Sequence, residues 1–307
     1  MRLDDFDPNI NVEDQRGSGG GSGFGGFGGG GGAGGLLVAF LPMIFSRFGC
    51  FGVAIVLGLF VVFGGGLQML GGGGQMGSSA PTETRRAGSD AASSCTLDAG
   101  SKVACNAFSS ADKTWAAIFA KTGKQFDQPK LVFYDGQGQS GCGAAQSAMG
   151  PFYCPQDQGV YLDTSFFQEL AQKFGAKGDF AQDYVIAHEF GHHIQNLLGT
   201  SDRVSSLQRR ASEADGNRLS VMLELQADCF AGVWAAQNRA RMDPDDLGEG
   251  MTAAKAIGDD TLQRETQGRV VPDSFTHGTS EQRMTWLKKG IDSGDLAQCD
   301  TFAGALG

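Results

Sequence analysis

Hydrophobic and polar positions divide the chain into four regions. Residues 1–35 are polar and then glycine-rich, residues 36–70 are almost entirely apolar, residues 71–94 are polar again, and residues 95–307 mix both kinds of position periodically. A glycine-rich polar tract buries too little apolar surface to offset its ordering entropy. The pattern therefore predicts a disordered acidic and glycine-rich tail over 1–35, a membrane-anchor segment over 36–70, a flexible linker over 71–94 and one folded domain over 95–307.

The apolar region is long enough to cross a bilayer. Residues 48–70 contain no charged side chain, and about 20 apolar residues span roughly 30 Å of hydrocarbon. A buried core helix is the alternative, but the glycine-rich flanks leave such a helix nothing to pack against. A cleaved signal peptide is disfavoured because a long polar segment precedes the run. We expect one transmembrane helix, and the arginines Arg2, Arg16 and Arg47 before it slightly favour a cytoplasmic N-terminus.

Periodicity within the domain predicts an α+β fold that is mostly helical with a small sheet. Short apolar runs before turn residues predict strands at 131–134 and 159–162. Helices are expected over about 109–122, 164–174, 179–199 and 216–241. Asp179 with Gln182, and Thr279 with Gln282, have the spacing of helix capping boxes.

Cysteine usage places the domain in an oxidising compartment. Of the seven cysteines, Cys50 lies within the apolar region and the other six include no CxxC motif. An even number of cysteines in the folded part is typical of disulfides in an extracytoplasmic protein. The predicted pairs close two short loops and one long one: Cys95–Cys105, Cys142–Cys154 and Cys229–Cys299.

The charge balance excludes one class of partner. The chain has 34 Asp and Glu against 24 Lys and Arg, which gives a formal net charge of −10. Since it has no basic stripe to displace the counterions of a nucleic acid, we predict no nucleic-acid partner.

The sharpest motif is HEFGH at residues 188–192. On a helix, residues four apart share a face, so His188 and His192 can bind the same metal ion. Glu189 lies next to the first histidine, where it can take a proton from a metal-bound water. Histidines that merely pack are the alternative, but buried imidazoles and a buried carboxylate need polar partners. The motif predicts a Zn²⁺ site with Glu189 as general base and then acid.

A tetrahedral zinc ion needs one more protein ligand beside the two histidines and a water. Glu224 and Asp228 stand four residues apart in an otherwise apolar segment. We predict that Glu224 is the third ligand and that Asp228 accepts the free N–H of a ligand histidine. His277, in a loop before a helix, is an alternative third ligand, a donor to the developing oxyanion, or a surface histidine.

Residues from about 108 to 302 resemble the bacterial family of putative neutral zinc metallopeptidases. The likeness lies in several blocks that follow one order: SGCGAAQSAMGPFYCP at 140–155, VYLDTSFF at 160–167, HEFGHHIQNLLG at 188–199, LELQADCFAGVWA at 223–235, AIGDD at 256–260 and VPDSFTHGTSEQR at 271–283. The family's members also begin with a polar tail, a glycine-rich run and one membrane span. The resemblance implies a single-pass protein of the bacterial inner (cytoplasmic) membrane with a periplasmic zincin-like domain.

The metal motifs are also similar to those of the prenyl-protein-protease type of membrane zincins. In that group an HExxH is followed by an ExxxD, and later by a Thr-His before a helix that carries an arginine. The likeness implies that Glu224 binds zinc, that Asp228 and Arg283 support the site, and that His277 takes part in catalysis. Gly278 follows His277 where that group usually has proline.

These observations together predict a membrane-anchored zinc metallopeptidase that hydrolyses peptide bonds in a peptide or protein substrate with a zinc-activated water. One alternative is a zinc amidase that acts on cell-wall peptides. Another is a non-catalytic zinc-containing envelope binding protein. In zincins an extended substrate pairs with an edge strand, and residues 131–134 and 160–162 are equal candidates for that strand.

Overall fold

A computed structural model of the protein describes residues 1–17 and 91–303. The α-helices in these ranges are α1 (Ala91–Cys95), α2 (Ala99–Thr122), α3 (Ser165–Gln172), α4 (Asp179–Leu197), α5 (Thr200–Gln208), α6 (Glu213–Gln237), α7 (Asp246–Ala256), α8 (Asp259–Gln267) and α9 (Ser280–Ser293). The strands are β1 (Asn11–Asp14), β2 (Lys130–Phe133), β3 (Gln137–Ser140), β4 (Gly143–Gln146), β5 (Phe152–Cys154) and β6 (Gly159–Leu162). The described part is mostly helical with a small sheet, as the sequence predicted.

The predicted membrane anchor at 36–70, the glycine-rich part of the tail and most of the predicted linker lie outside the described residues. Among the described helices, only α6 is long and apolar enough to cross a membrane by length and composition. Most of its apolar stretch is buried inside the fold, as expected for a core helix.

Four strands form a mixed sheet in the order β1–β2–β6–β5. The β1–β2 and β2–β6 pairs are parallel, and β5 runs antiparallel to β6. Both strands proposed for substrate pairing, at 131–134 and 160–162, are therefore interior strands with partners on both sides, and that prediction is wrong. Their continuous buried apolar runs are typical of strands covered on both faces. The edges of this sheet are β1 and β5.

Residues 1–17, predicted to be part of a disordered tail, are ordered. Strand β1 pairs with β2 over its whole length, and Met1 and Ile10 are buried in the main core. The polar composition misled the prediction because hydrogen bonds and ion pairs hold much of the segment. Asn106, for example, accepts from the backbone N–H of Phe6 and donates to the carbonyl of Leu3.

Some helix boundaries differ from those predicted. Helix α2 begins at Ala99, because the side chain of Asp98 caps it by accepting from the N–H of Ser101. The predicted capping box of α4 is wrong, since its N-cap is Gly178 and makes no side-chain hydrogen bond. The capping box of α9, between Thr279 and Gln282, is present as predicted.

Helix α6 packs against both α4 and α9 in the core. The helices approach closely at glycines: a Cβ atom on Gly191 of α4 would lie 3.0 Å from the carbonyl oxygen of Ala227 in α6, and one on Gly290 of α9 would lie 2.1 Å from that of Cys229. Backbone contact at Gly191 brings the histidine-bearing face of α4 against α6.

Three disulfides tie the fold together. They join Cys95 to Cys105, Cys142 to Cys154 and Cys229 to Cys299, the pairing that the sequence predicted. The second links the turn between β3 and β4 to the end of β5, and the third links α6 to the C-terminal 3-10 helix Leu296–Cys299.

Candidate metal centre

Helices α4 and α6 bring three potential metal ligands together. His188 Nε2 lies 3.1 Å from Glu224 Oε2, and His192 Nε2 lies 3.4 Å from Glu224 Oε1. One ligand atom from each of the three residues lies within 4.8 Å of the others. The four-residue spacing in α4 places both imidazoles on the face that meets Glu224.

Hydrogen bonds fix which nitrogen of each imidazole is free. His188 Nδ1 lies 2.8 Å from Asp228 Oδ1, and His192 Nδ1 lies 2.9 Å from the amide oxygen of Gln195. Both partners are acceptors, so each Nδ1 carries the proton and donates it. In the neutral form of each histidine, the Nε2 lone pair faces Glu224 and can bind a metal.

The donor set fits Zn²⁺. Zinc bonds to nitrogen and oxygen of about 2.0–2.1 Å place neighbouring ligands of a tetrahedral ion about 3.3 Å apart. The separations of 3.1 and 3.4 Å between imidazole nitrogens and the Glu224 oxygens are close to this value. The group contains three potential protein ligands among the described residues, which would leave a fourth position for water, as in hydrolytic zinc sites.

Glu189 lines the same cleft as the three ligands. It is largely buried, yet its carboxylate has no hydrogen-bond partner within residues 1–17 and 91–303. This carboxylate is therefore available to accept a proton beside the metal position.

Asp228 is the centre of a fully buried network behind the ligands. It accepts hydrogen bonds from His188 Nδ1, from the Tyr184 hydroxyl at 2.6 Å, and from Arg283 Nε and Nη2, each at 2.9 Å. Burial acts to raise the pKa of Asp228, but the Arg283 guanidinium and the His188 imidazole outweigh it and hold that pKa below its usual value. Asp228 thus lies where the sequence placed it, and Arg283 contacts it and not His277.

His277 lines the cleft but does not belong to the group of three ligands. Its Nδ1 lies 3.2 Å from Asp259 Oδ1, and its side chain is half exposed. Asp259 Oδ2 also accepts from the backbone N–H groups of Thr276, His277 and Gly278. The structure therefore provides no support for His277 as the third ligand.

Sequence reasoning missed three residues of this site: Tyr184, Gln195 and Asp259. Tyr184 precedes His188 by four positions and Gln195 follows His192 by three, so both share the helix face of the ligands and helical spacing could have found them. Asp259 is far from His277 in sequence, and no local pattern connects the two.

His193, which follows the second ligand, attaches strand β5 to α4. It donates from Nε2 to the carbonyl of Asp127 at 2.7 Å, and its Nδ1 accepts from the Tyr153 hydroxyl at 3.0 Å. Burial, the main cause, lowers the pKa of His193 to about 4, so it is neutral at pH 7. The edge strand is thereby fixed next to the HExxH helix.

A cleft of about 690 Å³ opens over the metal ligands. Its volume lies in the range of ordinary ligand-binding pockets. Its walls are largely apolar and include Met149, Phe152, Tyr153, Phe166 and Leu223. Phe152 and Tyr153 belong to the edge strand, so the cleft runs along β5.

Comparisons with known proteins give a family and two relatives. The model of the family described as putative neutral zinc metallopeptidase matches residues 1–302. The chain is similar to the uncharacterized protein YpfJ of Escherichia coli, with 58% identity over 197 residues that cover 64% of this chain and 69% of that protein. It is also similar to the uncharacterized protein Rv2575 of Mycobacterium tuberculosis, with 42% identity over 209 residues that cover 64% and 68%. No solved structure matches the chain.

Proposed function

The chain belongs to the putative neutral zinc metallopeptidase family, and from this membership we propose that it is a zinc-dependent peptidase that cleaves peptide bonds with a metal-activated water. One observation carries the proposal. His188, His192 and Glu224 converge within ligand distance while the Glu189 carboxylate stands unpaired beside them. A site built only for folding would be closed by a fourth protein ligand.

The residues divide the chemistry among them. Zn²⁺ bound by His188, His192 and Glu224 would lower the pKa of a water molecule to about 7. Glu189 would serve as the base that takes a proton from water in the cleft and as the acid that returns it to the leaving amine. Asp228 holds His188 in the tautomer that leaves Nε2 free.

Strand β5 is the part of the sheet that is placed to bind an extended substrate. It pairs with β6 on one side only, within the described residues, and its Phe152 and Tyr153 line the cleft. An extended peptide can add to such a free edge through main-chain hydrogen bonds. A peptide or protein substrate is therefore favoured over a compact small molecule.

The compartment and the membrane association are further parts of the proposal. Three disulfides support an oxidising, extracytoplasmic location for the domain. Association with the inner membrane of a bacterium through residues 36–70 rests on their sequence alone.

The test measures zinc content and hydrolysis of an unbiased peptide library by the purified chain and by Glu189→Gln. An amide cannot take the proton of the water, so we expect Glu189→Gln to keep its zinc and to lose hydrolysis. Glu281→Gln, an exposed change in the first turn of α9, is the matched control and should retain full activity. A Glu189→Gln variant that stays active would refute the mechanism, and cleavage of cell-wall peptides alone would indicate the amidase.

A further inference from the structure

The loop between Val271 and α9 is organised around one carboxylate. Asp259, the first residue of α8, is largely buried. Its Oδ2 accepts from the N–H groups of three consecutive loop residues at 2.6 to 3.1 Å, and its Oδ1 lies 3.2 Å from His277 Nδ1. One side chain therefore fixes both the backbone of this loop and the ring of His277.

The hydrogen bond between His277 and Asp259 determines which ring nitrogen of His277 is left free for another partner. His277 Nδ1 lies 3.2 Å from Asp259 Oδ1 and 3.1 Å from the Thr276 hydroxyl oxygen. An ionised carboxylate only accepts and a hydroxyl can accept as well, so both neighbours are compatible with a proton on Nδ1. The Nε2 atom of His277 has no hydrogen-bond partner among the described residues. A ring held by Nδ1 in this way can present Nε2–H to a developing oxyanion when the imidazole is protonated, which a neighbouring carboxylate favours.

We propose that Asp259 is a positioning residue, which orients His277 and stabilises its imidazolium form so that Nε2–H donates to the oxyanion of the substrate carbonyl. This inference rests on the proposed peptidase function. Asp259 contacts neither the candidate metal ligands nor Glu189, and its hydrogen bonds are to His277 and to the backbone of the loop that carries it.

A double-mutant cycle on the purified enzyme tests this role. We expect Asp259→Asn to lower kcat by about tenfold with KM and zinc content unchanged, and His277→Ala to lower it by about 10²-fold, as for the loss of one oxyanion donor. The double variant should be no slower than His277→Ala, because the ring of His277 is the only group of this loop that the proposal places at the reacting carbonyl. Asp260→Asn is the matched control, since Asp260 caps Ser280 and does not contact His277.

The proposal would be overturned if the loss of kcat in the double variant equalled the product of the losses in the two single variants. An unchanged kcat in Asp259→Asn would overturn it as well. A spectroscopic measurement keeps it testable even if the chain hydrolyses no peptide. The ¹⁵N shifts of the His277 ring, followed against pH, should show that the doubly protonated ring persists to a higher pH in the native protein than in Asp259→Asn, because the amide removes the negative charge. Identical shifts in the two proteins would refute the positioning role while leaving the proposed function untouched.

A second, independent observation concerns the segment 1–17. Its strand β1 extends the parallel sheet by pairing with β2 in full register. Lys130 of β2 forms an ion pair with Glu13 at 2.9 Å, and the guanidinium of Arg16 lies 4.5 Å from the centre of the Phe133 ring. These contacts make the segment part of the same packed unit as the domain.

The end of the segment 1–17 and the start of the segment 91–303 meet at one place on this unit. Arg16 Nη1 donates to Asp98 Oδ2 at 2.9 Å and to Ser101 Oγ at 2.6 Å, and Arg16 Nη2 donates to the carbonyl of Ser94 at 3.1 Å. Residues 16 and 94, which precede and follow positions 18–90 in the sequence, are therefore in direct contact.

We infer that residues 1–17 and residues 91–303 lie on the same side of the membrane. A single crossing over 36–70 would place the two parts on opposite sides of about 30 Å of hydrocarbon. Strands β1 and β2 could then not hydrogen-bond to each other, since lone strands do not enter the hydrocarbon region. The packing of β1 against β2 is thus incompatible with the predicted single-pass arrangement, in which the N-terminus is cytoplasmic and the domain periplasmic.

Labelling of single cysteines in spheroplasts tests this inference. In a Cys50→Ser background, Asp4→Cys reports the tail and Glu265→Cys reports the domain, since both positions are exposed. A membrane-impermeant maleimide should label both before lysis, because the disulfides indicate an oxidising side. Labelling of both only after lysis would still place them together. Labelling of Glu265→Cys before lysis and of Asp4→Cys only after it would overturn the inference.

Discussion

At the scale of single residues, the site depends on a chain of buried hydrogen bonds that ends at the metal position. Arg283 holds Asp228 with two hydrogen bonds, and Asp228 holds His188. Each buried charge has an opposite partner, so removing one member leaves another without compensation. The orientation of the candidate ligand His188 is therefore supported by an arginine on a different helix.

Arg283→Lys should weaken zinc binding. An ammonium cannot reproduce the two-pronged hydrogen bond of the guanidinium, and loss of such support behind a histidine ligand typically costs about 10–100-fold in metal affinity. Competition with a chelator measures the Kd of zinc. Arg218→Lys, which changes an exposed ion pair with Asp215 on α6, is the control. Equal zinc affinity in the native protein and Arg283→Lys would show that Asp228 holds His188 unaided.

Zinc affinity should rise with pH. Burial acts to lower the pKa of His188, but the charge of Asp228 and hydrogen bonds to Asp228 and Glu224 outweigh it, so the pKa is raised in the metal-free protein. The proton must leave before Nε2 can bind zinc. When zinc displaces one proton, its affinity falls about tenfold for each unit by which the pH is lowered. Zinc titrations at pH 6 and pH 7.5 check this. An affinity that does not change between them would contradict the assigned protonation state.

At the scale of elements, the close contact of α4, α6 and α9 determines where the ligands meet. Gly191 and Gly290 allow the backbones to touch, since a Cβ at either position would meet a carbonyl oxygen of α6. The tighter contact is the one at Gly290, where the distance would be only 2.1 Å. The close crossing of α6 and α9 also brings the Arg283 guanidinium within hydrogen-bond distance of Asp228.

Gly290→Ala should therefore lower the free energy of unfolding by about 3 kcal/mol, because backbone atoms cannot move aside as a flexible side chain can. Gly216→Ala, on α6 with open space around its Cβ position, should raise it by about 0.5–1 kcal/mol through helix propensity. Urea denaturation measures both. A Gly290→Ala variant as stable as the native protein would show that the helices can separate without loss.

Local patterns predicted the elements that carry the ligands better than they predicted the arrangement of the sheet. Helical spacing in HEFGH and in the segment around Glu224 placed each polar side chain on the correct face. The edge strand was missed because β5 is short and gives no alternating pattern, whereas the buried runs of β2 and β6 stand out. The pairing of β1 with β2 joins distant parts of the chain, which no local pattern reports.

At the scale of the whole molecule, long-range links hold helix α6, which carries the candidate ligand Glu224, in place. The Cys229–Cys299 disulfide closes a loop with a sequence separation of 70, whereas Cys95–Cys105 closes one of 10. In the chain-entropy model, stabilisation grows with the length of the closed loop. Cys229 of the longer link follows Asp228 directly, so this disulfide constrains the helix segment beside the site as well as the whole fold.

Removing the long disulfide should cost more stability than removing the short one. We expect Cys229→Ser with Cys299→Ser to lower the free energy of unfolding by about 4 kcal/mol, and Cys95→Ser with Cys105→Ser by about 3 kcal/mol. Non-reducing urea denaturation of the two double variants makes the comparison. A larger loss on removing the short link would contradict the loop-length argument.

Zinc content of the purified chain tests the central claim most directly, namely that His188, His192 and Glu224 hold one zinc ion. We expect close to one zinc per chain in the native protein and none in Glu224→Ala, since that change removes one of the three proposed ligands. Asp215→Ala, at an exposed carboxylate near the start of the same helix, should keep its zinc. Full zinc occupancy in Glu224→Ala would contradict the assigned ligand set.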